Sequence, residues 1–221
     1  MRSLPLPLAL AARLMPVVVL ACAGWSMSSE PAAPAAADHR PSRQTPTDSA
    51  SAPSSTAVSK SYKAAPAPCS SVPVATVKSL VPGAKTSGKE IPSTDTALRR
   101  TCSWNALKGY DYRWLDVSFE ITASDDAAKK EYQQRVAEKS GGGEVPGVGD
   151  AGYSVVNLTT ESKQETREGV VLVRASNALV VVTYNGSDFE TKKAPSTDEI
   201  NKGAIKAAKS AVAALGSGTS D

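Results

Sequence analysis

Residues 67–215 predict one α+β domain, an antiparallel sheet of about five strands packed by helices. Three observations point there. Residues 98–107 and 110–122 alternate apolar and polar side chains around a tight turn at Lys108-Gly109, the period of paired strands with one covered face. Residues 169–175 and 178–184 are nearly unbroken apolar runs separated only by Ser176-Asn177, which suits central strands covered on both sides. Helical stretches with N-terminal caps punctuate the strands, and turns this short join antiparallel neighbours.

In chain order, Ser70 or Ser71 is placed to cap a first helix to about residue 80, with Val74, Val77 and Val81 forming its buried stripe and Pro82-Gly83 stopping it. A polar loop follows to about residue 96. In the hairpin, Leu115, Val117, Phe119 and Ile121 share one face, and Trp114, Asp116, Ser118 and Glu120 share the other. A two-residue turn at Lys108-Gly109 sets Leu107 opposite Tyr110 and Cys102 opposite Leu115, so Cys102 points into the core. A second helix over 125–139 starts at the cap Ser124, carries acids in its first turn, and stops at Gly141-Gly142-Gly143. A strand follows over about 153–160, ahead of the two apolar runs. Ser196-Thr197-Asp198-Glu199 is a capping box that opens a last helix to residue 215, ended by Gly216. Gly203, Ala204, Ala207, Ala208 and Ala211 keep one side of that helix small enough to lie close on the sheet.

Ahead of the domain, Arg2 and Arg13 precede a short apolar stretch that ends at Cys22. It falls well short of the roughly 18 to 20 residues that a membrane-spanning helix needs, so residues 1–21 read as an export signal. Val19-Leu20-Ala21-Cys22 resembles a bacterial lipobox, which implies that Cys22 becomes a lipidated N-terminus bearing palmitate-type chains on the outer face of the cell membrane. Cleavage at a nearby alanine, leaving Cys22 a free thiol or removing it, is the competing reading. From there to residue 66 the chain is Ala, Pro, Ser and Thr with scattered charge, too polar to offset ordering entropy, and reads as a disordered tether. Residues 216–221 read as a disordered tail. Two cysteines remain, Cys69 and Cys102, which an exported chain pairs as a disulfide. Closing that 33-residue separation stabilises by roughly 3 to 4 kcal/mol on loop-closure entropy.

The segments Pro68-Cys69, Cys102-Ser103-Trp104 and 145–151 (Val-Pro-Gly-Val-Gly-Asp-Ala), with paired strands and an Ala-rich last helix, resemble an actinobacterial lipoprotein family known as domain of unknown function 3558. The resemblance covers about residues 67–215. It implies an envelope lipoprotein with an antiparallel sheet packed by helices, and it brings no chemistry with it.

Formal charge is +3, from 25 basic and 22 acidic residues, and loss of Arg2 and Arg13 with the signal leaves +1. Near-neutrality argues against nucleic acid, which needs a concentrated basic surface. Gly147-Val148-Gly149-Asp150-Ala151-Gly152 has the spacing G-x-G-x-x-G, yet it follows a helix and enters a strand, so no helix N-terminus faces a phosphate; it reads as a tight connection and no cofactor is expected. No G-x-S-x-G occurs, and the single histidine, His39, lies in the tether, which leaves no base for nucleophilic catalysis and no metal site. Asp111, Asp116, Glu120 and Asp150 are the acids open to a glycan hydrolase, the least favoured reading.

Aromatic clustering stands out. Of eleven aromatic residues, Trp104, Tyr110, Tyr112 and Trp114 fall within eleven positions, with Arg113 among them. Exposed Trp, Tyr and Arg are what binding hot spots use, while cross-strand packing under a helix is the structural alternative. The sequence thus points to a lipid-anchored extracytoplasmic protein, a non-catalytic binding or interaction module whose partner is an envelope protein or polysaccharide. A small-molecule or lipid carrier is the alternative.

Overall fold

The computed structural model describes residues 62–217, so the expected signal, Cys22, the tether up to residue 61 and the last four residues of the tail lie outside the described residues. A 3-10 turn, Pro68–Ser70, precedes helix α1, Val74–Leu80, and strands β1, Lys89–Ile91, β2, Arg99–Lys108, and β3, Asp111–Ile121. Helix α2, Asp125–Ala137, leads to β4, Gly143–Glu144, β5, Ala151–Glu161, β6, Gln164–Ala175, and β7, Ala178–Asp188, before helix α3, Thr197–Ser217. The fold is α+β, with all seven strands antiparallel in the order β1-β2-β3-β7-β6-β5-β4.

The sheet has seven strands where five were expected. The two extra ones, β1 and β4, are three and two residues long with no buried residue, so they carry no apolar period to read. The hairpin turn falls at Gly109-Tyr110, one residue later than expected, and Cys102 pairs with Val117 instead of Leu115. That is a slip of two residues, and a strand's side chains repeat every two, so every residue keeps its expected face. Cys102 is fully buried and bonded to Cys69, with their Cα atoms 5.1 Å apart.

One face of the sheet, the inner face, is closed by α1 and α3. From β2, β3, β6 and β7 it receives Trp104, Leu115, Val117, Phe119, Val171, Val173, Val180, Val182 and Tyr184, all 3% exposed or less. Helix α3 lays Ala204, Ala207, Ala208 and Ala211 against them, each fully buried. The contact is close at Gly203, where an added Cβ would stand 2.6 Å from the Tyr184 ring. Tyr184 donates its hydroxyl to the Leu80 carbonyl at 2.7 Å, tying α1 to the centre of the sheet.

The caps differ in part from expectation. Ser124 accepts from Ala127 N–H and opens α2 as its spacing predicts. Ser196 accepts from Glu199 N–H at 3.1 Å, but the Glu199 carboxylate goes to Arg113 at 2.9 Å, so the capping box is half made. Ser70 and Ser71 bond back to the carbonyls of Ala67 and Pro68, and α1 starts three residues later, leaving Val74 exposed while Val77 and Val81 are buried. Helix α3 runs through Gly216 to Ser217. Packing also begins earlier than residue 67. Ala65 is buried and its N–H donates to Ala97, and the fully buried Asn177 side chain accepts from Tyr62 N–H and donates to the carbonyls of Tyr62 and Thr122.

Candidate functional site: an open aromatic face

The opposite, outer face is only half covered. Helix α2 lies over the end of the sheet nearest the β6–β7 turn, where Arg135 pairs with Glu120 of β3 and where Leu172, Leu179, Val155 and Ala128 are buried. Strand alternation from Glu120 then places Ser118, Asp116, Trp114 and Tyr112 on this same face, and α2 does not reach the last two. The uncovered end is bounded by the β2–β3 turn and by Phe189 just after β7, whose ring lies 6.0 Å from that of Tyr112.

The five residues of the aromatic cluster divide between the faces. Trp104 is 1% exposed in the core and donates its indole N–H to the Thr86 carbonyl at 3.1 Å. Arg113 is also on the inner face, where it forms ion pairs with Asp111 and Glu199. These two leave the candidate surface, because Trp104 is packed under the loop at Thr86 and Gly88 and Arg113 is held by Glu199 of α3. Trp114, 37% exposed, remains on the outer face with its indole N–H donated to Ser103 Oγ at 2.8 Å and to Asp116 Oδ1 at 2.7 Å. Tyr110, 58% exposed, stands in the turn itself. Tyr112 is half-buried against Phe189, and burial, with Asp116 adding to it, pushes its phenol above the usual range, so it stays neutral. Phe189 and Leu107, the cross-strand neighbour of Tyr112, complete the patch. Neither is read as a site residue from the sequence; Leu107 directly before the turn on the polar side of the hairpin was the available signal.

The acids open to hydrolytic chemistry are each engaged separately. Asp111 holds Arg113, Asp116 holds the Trp114 indole, Glu120 holds Arg135, and Asp150 takes Arg174 at 3.0 Å and the Ser176 N–H at 2.7 Å. The glycine-rich stretch is a connection: Gly149, at φ 63°, lets the chain turn so that Asp150 N–H reaches the Arg174 carbonyl, and a Cβ there would meet that oxygen at 2.5 Å. Among the described residues no three His, Cys, Asp or Glu side chains converge.

Depressions among the described residues include two of similar size. One, of about 410 Å³, runs beside β2 past the end of β1 and is lined by Lys85, Lys89, Ser103, Asn105 and Leu107 over a floor of Trp104. The other, of about 470 Å³, lies on the exposed side of α3 among Lys202, Lys206 and Lys209, of which Lys202 is bound to Asp198 and Lys206 to Ser79.

No protein-family model matches the chain. No curated protein matches it. Among solved structures, one from Bacteroides thetaiotaomicron is 12% identical over 54% of this chain and 47% of its own, with a TM-score of 0.34. The extracellular domain of PknH from Mycobacterium tuberculosis is 13% identical over 54% of this chain and 64% of its own, with a TM-score of 0.30. The chain therefore spans about half of the first and just under two thirds of the second. Ara h 8.0201 is 13% identical over 70% of this chain and 93% of its own, with a TM-score of 0.19. At these identities and scores none of the three lends its function to this chain.

Proposed function

We propose that this chain is an extracytoplasmic protein of the cell envelope, lipid-anchored at Cys22 and of the lipoprotein family it resembles, whose folded part is a non-catalytic binding module. One observation carries the reading. Four of the eight large hydrophobic side chains exposed among the described residues, Leu107, Tyr110, Trp114 and Phe189, gather at one end of the sheet, around the β2–β3 turn. That end is opposite to the one where Tyr62 enters the fold beside Asn177, ten residues along β3 or about 34 Å away. Such concentrated apolar exposure on a folded domain marks an interaction site.

The Cys69–Cys102 disulfide supports an oxidising compartment, and no described helix is long and apolar enough to cross a membrane. The separate engagement of the acids favours binding over hydrolysis. A carrier needs an apolar cavity, and the close approach of Gly203 to the Tyr184 ring between α3 and the sheet counts against one at that point. The partner is an envelope protein or polysaccharide.

The test is photo-crosslinking of the full chain in its native envelope, with the photoreactive residue at position 110 or, as a control beneath no proposed partner, at position 130 on the exposed side of α2. Adducts from 110 and none from 130 are expected. Equal yields from both, or none from 110, overturn the reading.

A further inference from the structure

The outer face carries a row of side chains that crosses five strands at the level of Trp114. Asn105 pairs with Trp114, Trp114 with Asn185, Asn185 with Glu168, and Glu168 with Asn157. Side chains of residues paired across strands share a face, so the five stand side by side, four steps of about 4.8 Å, or about 19 Å in all. Asn105, Trp114 and Asn157 are exposed, and Asn185 and Glu168 are half-buried. The side chains of Asn105, Asn185, Glu168 and Asn157 make no hydrogen bond or ion pair with any other described residue. Ser103 and Ser187 on the same face are bonded within the sheet, whereas these four side chains keep their donors and acceptors for solvent or a ligand.

We infer that this row binds a saccharide chain, a neutral polyhydroxylated ligand laid across the strands; the inference rests on the binding reading above and names its ligand class. Each amide offers a donor and an acceptor, the complement of a hydroxyl group that is both, and the Glu168 carboxylate accepts from two hydroxyls. The Trp114 ring supplies the apolar plane on which the C–H face of a sugar ring rests. Its orientation is fixed in advance by the bonds to Ser103 and Asp116, so little side-chain entropy is lost on binding. The row holds one carboxylate, has Asp116 beside it and contains no cation, so an anionic polymer meets like charge along its length. At its β2 end Asn105 also lines the 410 Å³ groove, which gives a longer chain somewhere to continue.

The test is calorimetric titration of the full chain with two tetrasaccharides, a neutral hexose polymer fragment and an N-acetylhexosamine fragment. One or both bind; Trp114→Ala weakens binding by about tenfold or more, and Glu168→Gln and Asn185→Ala by about threefold each, with melting temperatures close to wild type. Glu168→Gln keeps shape and volume, so it remains informative if Trp114→Ala folds poorly. Equal binding by all four proteins overturns the assignment. No binding of either sugar, with position 110 still crosslinking to a protein, overturns the saccharide and leaves the binding module. Failure of both measurements overturns both.

Discussion

One hairpin presents two tryptophans to two different environments. Trp104 and Trp114 belong to neighbouring strands, and each sits among the residues that its strand's alternation assigns to its face. On the inner face Trp104 lies among Cys102, Leu115 and Gly88 and its single indole donor finds a carbonyl, so Trp104 acts as core. On the outer face the neighbours are Asn105, Ser103, Asp116 and Asn185, and the ring is 37% exposed although its donor is doubly used. The same side chain is therefore core on one face and partly open on the other, and what decides between them is coverage by the loop at Thr86 and Gly88 against partial coverage by α2.

The largest effect that sharpens this contrast is Trp104→Ala, which removes a 1% exposed side chain and is expected to cost about 3 to 5 kcal/mol by equilibrium denaturation. Trp114→Ala is expected to cost less than about 1 kcal/mol in the same assay. Equal costs would break the division of the two faces. Next comes Asn177→Ala. It strands Tyr62 N–H and the carbonyls of Tyr62 and Thr122 at the closed end of the sheet, and about 1 to 3 kcal/mol of destabilisation is expected. If residues 62–66 are not part of the packed fold, that loss does not appear.

The smallest effect concerns the edge of the open face. The Thr191 backbone N–H, donated to Asp188 at 2.7 Å, and that of Glu190 at 2.9 Å hold the Asp188 carboxyl below the usual carboxylate range and fix the loop that carries Phe189. A pKa lowered on folding means that the stabilisation is complete above the unfolded value, about 3.9, and is lost as pH falls through the lowered folded value. Chemical shifts of residues 189–193 are expected to change only below about pH 3.9, with those of the central strands unmoved. A midpoint at or above the ordinary value contradicts this.

The faces of the hairpin were legible from sequence because they depend on parity alone, which survived the two-residue slip in register. The disulfide was legible from cysteine count and export, and the small side of α3 from its alanine spacing. Strands β1 and β4 were not, since Lys89-Glu90-Ile91 and Gly143-Glu144 bury nothing. Coverage by α2, and with it the openness of the face, could not be read either, because α2 is polar on most sides and buries only Ala128. The row through Trp114 was further out of reach. It joins residues as distant as Asn105 and Asn185 through the β3–β7 pairing, which the sequence specifies only through the whole packed fold.

The most direct test of the division between core and recognition is the ligand-induced shift of thermal melting, measured on the full chain and on Trp114→Ala with the better-binding tetrasaccharide in large excess over its Kd. A hundredfold excess stabilises a folded binder by about 2.7 kcal/mol. A clear upward shift is expected for the wild type, and for Trp114→Ala an unliganded melt close to wild type with most of the shift gone. A variant that melts far below wild type, or one that keeps the full shift, contradicts it.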